Sequence, residues 1–208
     1  MVESLRRLGV RHAPVLDAMA QVPRHAFIDA ALASRAYEDV ALPIGHGQTI
    51  SKPSTVARML ELVAHCLPEA RRAGSQVLEV GTGCGYQAAV LAEIVRLVHT
   101  IEIVEPLGRA AASALSAAGY RNVRTRIGDG YAGWPEEAPF DAIMVTAAAP
   151  YVPQPLIDQL KNGGRLVIPL GGPDSVQALF VIEKDAQGTV TRRKVLDVRF
   201  VPLTRKQG

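Results

Sequence analysis

Three glycines stand close behind an apolar run: Gln76-Val77-Leu78-Glu79-Val80 leads into Gly81-Thr82-Gly83-Cys84-Gly85. Glycine opens turn conformations closed to other residues and lets a ligand approach the backbone. A helix that follows such a turn directs its free N–H groups toward that ligand. Glu102 lies 21 positions after Gly81, at the end of the next apolar run, where a carboxylate accepts hydrogen bonds from ribose hydroxyls. Gly128-Asp129-Gly130 follows a third run and offers an acidic group to the exocyclic amine of an adenine. The glycine spacing is G-x-G-x-G, not the G-x-G-x-x-G that cradles a dinucleotide pyrophosphate. No Tyr-x-x-x-Lys pair supplies a proton donor for hydride transfer. S-adenosyl-methionine, which carries no phosphate, is the preferred cofactor, and a nicotinamide dinucleotide is the alternative.

A second group of residues suits the acceptor of a methyl group. Gly47-Gln48-Thr49-Ile50-Ser51-Lys52-Pro53 places two hydroxyls on a segment entering a helix. Methyl transfer from a sulfonium is an in-line displacement, so the protein mainly positions the partners and excludes water. A carboxylate with pKa near 4 is already ionised at neutral pH and needs donors rather than a base. The competing role for Ser51, or for Ser54, is to cap the helix that begins near Pro53. Thr146-Ala147-Ala148-Ala149-Pro150 lacks the Asp/Asn-Pro-Pro-Tyr turn used to hold amino groups of bases. Cys66 and Cys84 read as structural thiols, and the five histidines show no metal-type spacing, so no metal site is expected.

The elements that must position these groups alternate. Helical spacing covers residues 2–22 and 26–36, with Pro14 near a helix start, and again Pro53–Leu67. Leu42–Ile50 reads as extended chain and loop. Strands at 76–80, 99–103, 123–127, 140–146 and 165–170 alternate with helices at 86–95, 106–118 and 155–160, and Asn162-Gly163-Gly164 is a turn. Residues 176–183 and 190–200 form a hairpin around Asp185–Gly188. The pattern predicts one α/β domain over 1–208, with 1–52 as an N-terminal helical and substrate-loop extension. Its parallel sheet is wrapped on both faces and completed to about seven strands by the C-terminal antiparallel hairpin. Ligands in such sheets sit beyond the carboxyl ends of the strands.

With 48% hydrophobic and 21% charged residues, bulk disorder is excluded, and no apolar run reaches the roughly 18–20 residues of a membrane span. A net charge of +3 does not argue for nucleic acid. A cytoplasmic monomer is expected, without nucleic-acid or membrane partners. Arg192-Arg193-Lys194 and Arg205-Lys206 read as solvated charges.

The run Leu42-Pro43-Ile44-Gly45-His46-Gly47-Gln48-Thr49-Ile50-Ser51-Lys52-Pro53 closely resembles the signature of the protein-L-isoaspartate O-methyltransferases. Val77–Gln87, Gly128-Asp129-Gly130 with Gly133-Trp134-Pro135, Ala147–Pro150, Gly163–Pro169 and Val201-Pro202-Leu203-Thr204 match further motifs of that family, in order. The resemblance implies a doubly wound, Rossmann-like class I methyltransferase fold. It also implies transfer of a methyl group from S-adenosyl-L-methionine, leaving S-adenosyl-L-homocysteine. The acceptor is the free α-carboxylate of L-isoaspartyl residues in damaged proteins and peptides, whose ester re-closes to a succinimide. Ser51 is the family's active-site serine. Gln48, Thr49, Gly81, Thr82, Gly83, Glu102, Ile103, Asp129 and Gly130 fall on cofactor positions. Thr49, Ile50, Ser51 and Thr204 fall on the substrate side.

Overall fold

The structure, a computed structural model, describes residues 1–67, 73–172 and 175–205, so Lys206 lies outside the described residues. Among the described residues, seven strands form one sheet in the order β5-β4-β3-β6-β7-β8-β9. They are β3 (Gln76–Val80), β4 (Leu97–Glu102), β5 (Val123–Ile127), β6 (Phe140–Val145), β7 (Leu160–Leu170), β8 (Gln177–Lys184) and β9 (Val190–Val198). The first five are parallel, and β8 and β9 add antiparallel at one edge. Because β3 and β6 are central, side chains alternate between two buried faces. Val77, Ala142 and Met144 pack against the N-terminal helices, and Leu78, Val80, Ile143 and Val145 pack on the other side. That double burial is why these strands are apolar at nearly every position.

The first face carries α1 (Val2–Arg7), α2 (Ala13–Gln21), α3 (Pro53–Ala64), α4 (Tyr86–Ala92) and α5 (Glu105–Ala117). The second is covered by the short α6 (Gln154–Asp158) and 3₁₀ turns at Gly130–Ala132 and Pro135–Glu137. Between α2 and α3 a separate two-stranded hairpin, β1 (Leu42–Gly45) with β2 (Gln48–Ile50), brings the Gln48–Ser51 segment to the sheet.

Several expectations are corrected. The helical pattern over 2–22 breaks into α1 and α2 because Gly9 takes a left-handed φ of +88°, and Pro14 opens α2. In place of one helix over 26–36 stand two 3₁₀ turns, Arg24–Phe27 and Ala30–Arg35, the second started by Asp29, whose carboxylate accepts from the Ala31 amide. Asn162–Gly164 is no separate turn but a bulge inside β7, opposite the step from Phe140 to Ala142 in β6. Arg205 is no free solvated charge: it lies 4.1 Å from the Tyr131 ring centroid and donates to the Tyr151 hydroxyl at 2.7 Å.

Neither Ser51 nor Ser54 caps α3. Lys52 is the N-cap residue and makes no side-chain cap bond, while the Ser54 amide donates to Asp39 Oδ1 at 2.7 Å. The cap thus comes from 15 residues upstream. Asp39→Ala should lower stability by about 1 kcal/mol, within the range for cap removal, and Ser54→Ala by less than about 0.5 kcal/mol. Urea unfolding of the two variants checks this, and the reverse order would return the cap to the serine.

Candidate active site

At the carboxyl ends of β3, β4 and β6 lies a cleft enclosing about 810 Å³ of empty space, counted to its open mouth. Gly81, Thr82, Gly83 and Cys84 form its floor segment, and Glu102, Ile103 and Val104 one wall. Gly130, Thr146 and Ala147 line it from the ends of β5 and β6, and Gln48, Thr49, Ile50 and Ser51 from the hairpin. Leu203 and Thr204 belong to a C-terminal segment held by main-chain bonds from Ala148 N to Val201 O and from Leu203 N to Ala148 O, each 2.8 Å. Of the residues singled out from sequence, only Asp129 is missing from these walls. Its Oδ1 accepts the Tyr131 amide at 2.9 Å, so it shapes the turn that presents Gly130.

The glycine turn is built to leave room. Gly81 has φ +97°, and a Cβ there would come 2.3 Å from Thr146 Oγ1. The Thr146 hydroxyl spans the carbonyls of Val80 and Gly81 at 3.0 and 2.7 Å, tying the end of β6 to the turn. At Gly130 a Cβ would lie 2.2 Å from Val80 Cγ1. Both positions admit only glycine's bare backbone.

Glu102 is nearly buried, at 7% exposure, and grips the turn directly. Its Oε2 accepts from Gly83 N at 2.8 Å and its Oε1 from Val104 N at 2.9 Å. The Gly83 amide is therefore engaged within the protein, and the carboxylate is held in place from both ends. Each carboxylate oxygen keeps a lone pair for a further donor, so the residue fits a ribose diol. Behind the turn a buried chain runs from Thr82 Oγ1 to Thr100 Oγ1 at 2.7 Å and from Thr100 Oγ1 to Glu79 Oε2 at 2.6 Å. Burial pushes the Glu79 pKa up to about 8, against the pull of the Thr100 bond, which favours a neutral acid at pH 7. Burial likewise pushes the thiols of Cys66 and Cys84 up to about 11, so neither is a thiolate nucleophile at neutral pH.

A second, wider groove of about 1980 Å³, also counted to open solvent, runs between α3, the Asp39–Ala41 segment and the end of β9. Thr49, Ser51, Thr146 and Val201 line both cavities. Sequence reasoning gives no site role to Thr146 or Val201, although both lie in motifs it names, and does not mark Arg24, which donates to the Ser51 carbonyl at 2.7 Å. Among the described residues no helix is long and apolar enough to cross a membrane. No group of three or more His, Cys, Asp or Glu residues among them could hold a metal ion.

Comparison with known proteins gives one answer. The family profile described as protein-L-isoaspartate(D-aspartate) O-methyltransferase matches residues 1–208. A protein-L-isoaspartate O-methyltransferase of Nitrosospira multiformis is 58% identical over 191 residues, covering 92% of this chain and 78% of that one. Another, from Gloeobacter violaceus, is 52% identical over 205 residues, 99% and 97% of the two chains. A Plasmodium falciparum structure, described as a protein-L-isoaspartate O-methyltransferase in complex with S-adenosyl-L-homocysteine, superposes with a TM-score of 0.85. It is 28% identical, and the match covers 99% of this chain and 97% of that one. The chain belongs to the protein-L-isoaspartate(D-aspartate) O-methyltransferase family, and is an S-adenosyl-methionine-dependent repair enzyme that methylates isoaspartyl residues.

Proposed function

We propose that the glycine-turn cleft holds the cofactor, that the wider groove holds the damaged peptide, and that Thr49 and Ser51 hold the acceptor carboxylate where the two meet. The observation that carries this reading is the shared wall: Thr49, Ser51, Thr146 and Val201 face both cavities. S-adenosyl-methionine, when bound, would supply a methyl group whose bond to the sulfonium sulfur breaks in line as a bond to a carboxylate oxygen forms, with S-adenosyl-homocysteine as the leaving group. The chain's own part is to bind, orient and dry the reactants. Glu102 accepts from the ribose, and Ile103, Val104, Gly130 and Ala147 give the adenine apolar and backbone surface. Gln48 and Thr49 close the cleft from the hairpin side. On the acceptor side, Ile50 and Thr204 flank the Thr49 and Ser51 hydroxyls, which donate to the carboxylate and hold it near attack geometry. Ile44 and Val56 add apolar wall that excludes water.

The charges of the groove suit an anionic acceptor. Asp39 is engaged at the α3 cap and Asp197 pairs with Lys194 at 2.7 Å, while Arg58 pairs with Glu61 at 2.9 Å. Lys52 and Arg199 line the same groove and take part in no ion pair among the described residues. Their positive field draws a carboxylate toward Ser51. The setting we propose is a cytoplasmic monomer whose partners are isoaspartyl proteins and peptides, not nucleic acid or membrane.

An isoaspartyl residue continues the chain through its side chain, leaving its α-carboxylate free beside the peptide path. With labelled S-adenosyl-methionine, an isoaspartyl peptide should take up label and its aspartyl twin should not. Equal labelling of the two would overturn the assignment of the groove.

A further inference from the structure

Arg24 stands behind the active-site walls, on the 3₁₀ turn Arg24–Phe27, and is fully buried. A guanidinium taken out of water is costly to hold unless it is paired. None of the ion pairs among the described residues includes Arg24. Burial accordingly pulls its pKa below the ordinary arginine value. Its hydrogen bonds go to backbone carbonyls of two different segments. Nε donates to Ala36 O at 2.8 Å and Nη2 to Ser51 O at 2.7 Å. The guanidinium carbon also lies 4.9 Å from the ring centroid of Tyr86, the first residue of α4 and part of the cofactor-cleft wall.

One rigid fork thus touches three pieces of chain that no backbone ladder joins: the end of the second 3₁₀ turn, the acceptor serine and the helix behind the glycine turn. A planar guanidinium fixes directions as well as distances, which a flexible ammonium does not. The bond to Ser51 is made to its carbonyl, so the hydroxyl takes no part in it, and Ser51 lines both cavities. Between Ile50, paired with Leu42 in the hairpin, and Lys52, which accepts from the first turn of α3, this carbonyl bond adds a side-chain anchor at residue 51.

We propose that Arg24 is a positioning residue for methyl transfer, setting the Ser51 segment at a fixed distance from the Tyr86 end of the cofactor cleft. The proposal rests on reading Ser51 as an acceptor-side group, and it adds how that group is held. Small displacements of a positioned reactant reduce turnover far more than they reduce binding in a separate cavity.

The test is steady-state kinetics on an isoaspartyl peptide for Arg24→Met and Arg24→Lys, with S-adenosyl-homocysteine affinity measured by calorimetry. Leu5→Ala serves as the stability control, since Leu5 is buried in α1 and absent from both cavity walls. Arg24→Met should lower kcat by about 5–20-fold, and Arg24→Lys, which can keep one carbonyl bond, by about half that on a logarithmic scale. Cofactor-product affinity should stay within about threefold, and Leu5→Ala should keep wild-type kcat at temperatures where it is folded. Wild-type kcat in folded Arg24→Met overturns the proposal, as does an equal loss in Leu5→Ala. If Arg24→Met does not fold, Arg24→Lys decides: wild-type kcat overturns, and a loss with intact cofactor affinity supports. Normal turnover in folded Ser51→Ala would instead overturn the reading of Ser51 on which the proposal rests, an outcome distinct from wild-type kcat in Arg24→Met.

Discussion

Ser51→Ala should lower kcat/KM for an isoaspartyl peptide by about 10–100-fold, equivalent to ~1.4–2.7 kcal/mol of transition-state stabilisation. The expected loss stops there because the acceptor is ionised before it binds, so the serine is asked for one positioning hydrogen bond and not for proton transfer. The structure separates this from a folding effect. Residue 51 precedes the N-cap Lys52, the α3 cap is supplied by Asp39 and not by Ser51, and the serine's carbonyl keeps its bond from Arg24 when the hydroxyl is removed. The midpoint of thermal unfolding should therefore barely move. Cofactor affinity should change less than peptide turnover, because the cleft keeps its glycine turn and Glu102. Ser51→Thr retains a hydroxyl and should recover part of the activity. Near-wild-type turnover in folded Ser51→Ala would leave Thr49 and backbone amides to hold the carboxylate.

The sheet and the cofactor end of the site were readable from sequence for a shared reason. Val77–Val80 and Ala142–Val145 are buried on both faces, so their apolar runs name strands whatever surrounds them. Gly81 and Gly130 stand directly after strands, so their spacing marks the turns, although the side chains that exclude a Cβ there, Thr146 and Val80, come from elsewhere in the chain. What escaped depends on partners distant in the chain. A serine before a helix reads as a cap, and only the folded chain shows Asp39 reaching the Ser54 amide from 15 positions away. Arg24 follows Val22-Pro23 with no periodicity to mark it, and an isolated arginine reads as a solvated charge until Ala36 and Ser51 close over it. Asp129 stands at the expected strand end with one carboxylate oxygen on the Tyr131 amide, and it is the next residue, Gly130, that reaches the cleft wall, a choice that residue type alone does not decide. Gly9 and Gly163 show the same limit for element ends: left-handed φ values of +88° and +79° end one helix and bulge one strand, where sequence marks only a glycine.

Glu102→Ala should weaken S-adenosyl-methionine binding by ~1.5–3 kcal/mol, the usual range for hydrogen bonds to a charged group. Because the same carboxylate accepts from Gly83 N and Val104 N, the substitution also loosens the turn that forms the cleft floor. Water in the cleft can reach those amides once the side chain is gone, so the fold should lose only about 1 kcal/mol, the low end for orphaned polar groups. The two effects are separable. If Glu102 bonds the ribose diol, the affinity lost on going to alanine should be large for S-adenosyl-homocysteine and much smaller for its 2′,3′-dideoxy analogue. The difference is the coupling between carboxylate and hydroxyl. If Glu102 only shapes the turn, both ligands should lose affinity equally. Glu102→Gln tests the same point from the other side. Its amide oxygen can accept one of the two backbone donors, but its NH₂ must face the other, so the turn stays poorly satisfied while the side chain's volume is kept. Calorimetry showing equal losses for the two ligands would move Glu102 from the ribose to the scaffold of the glycine turn.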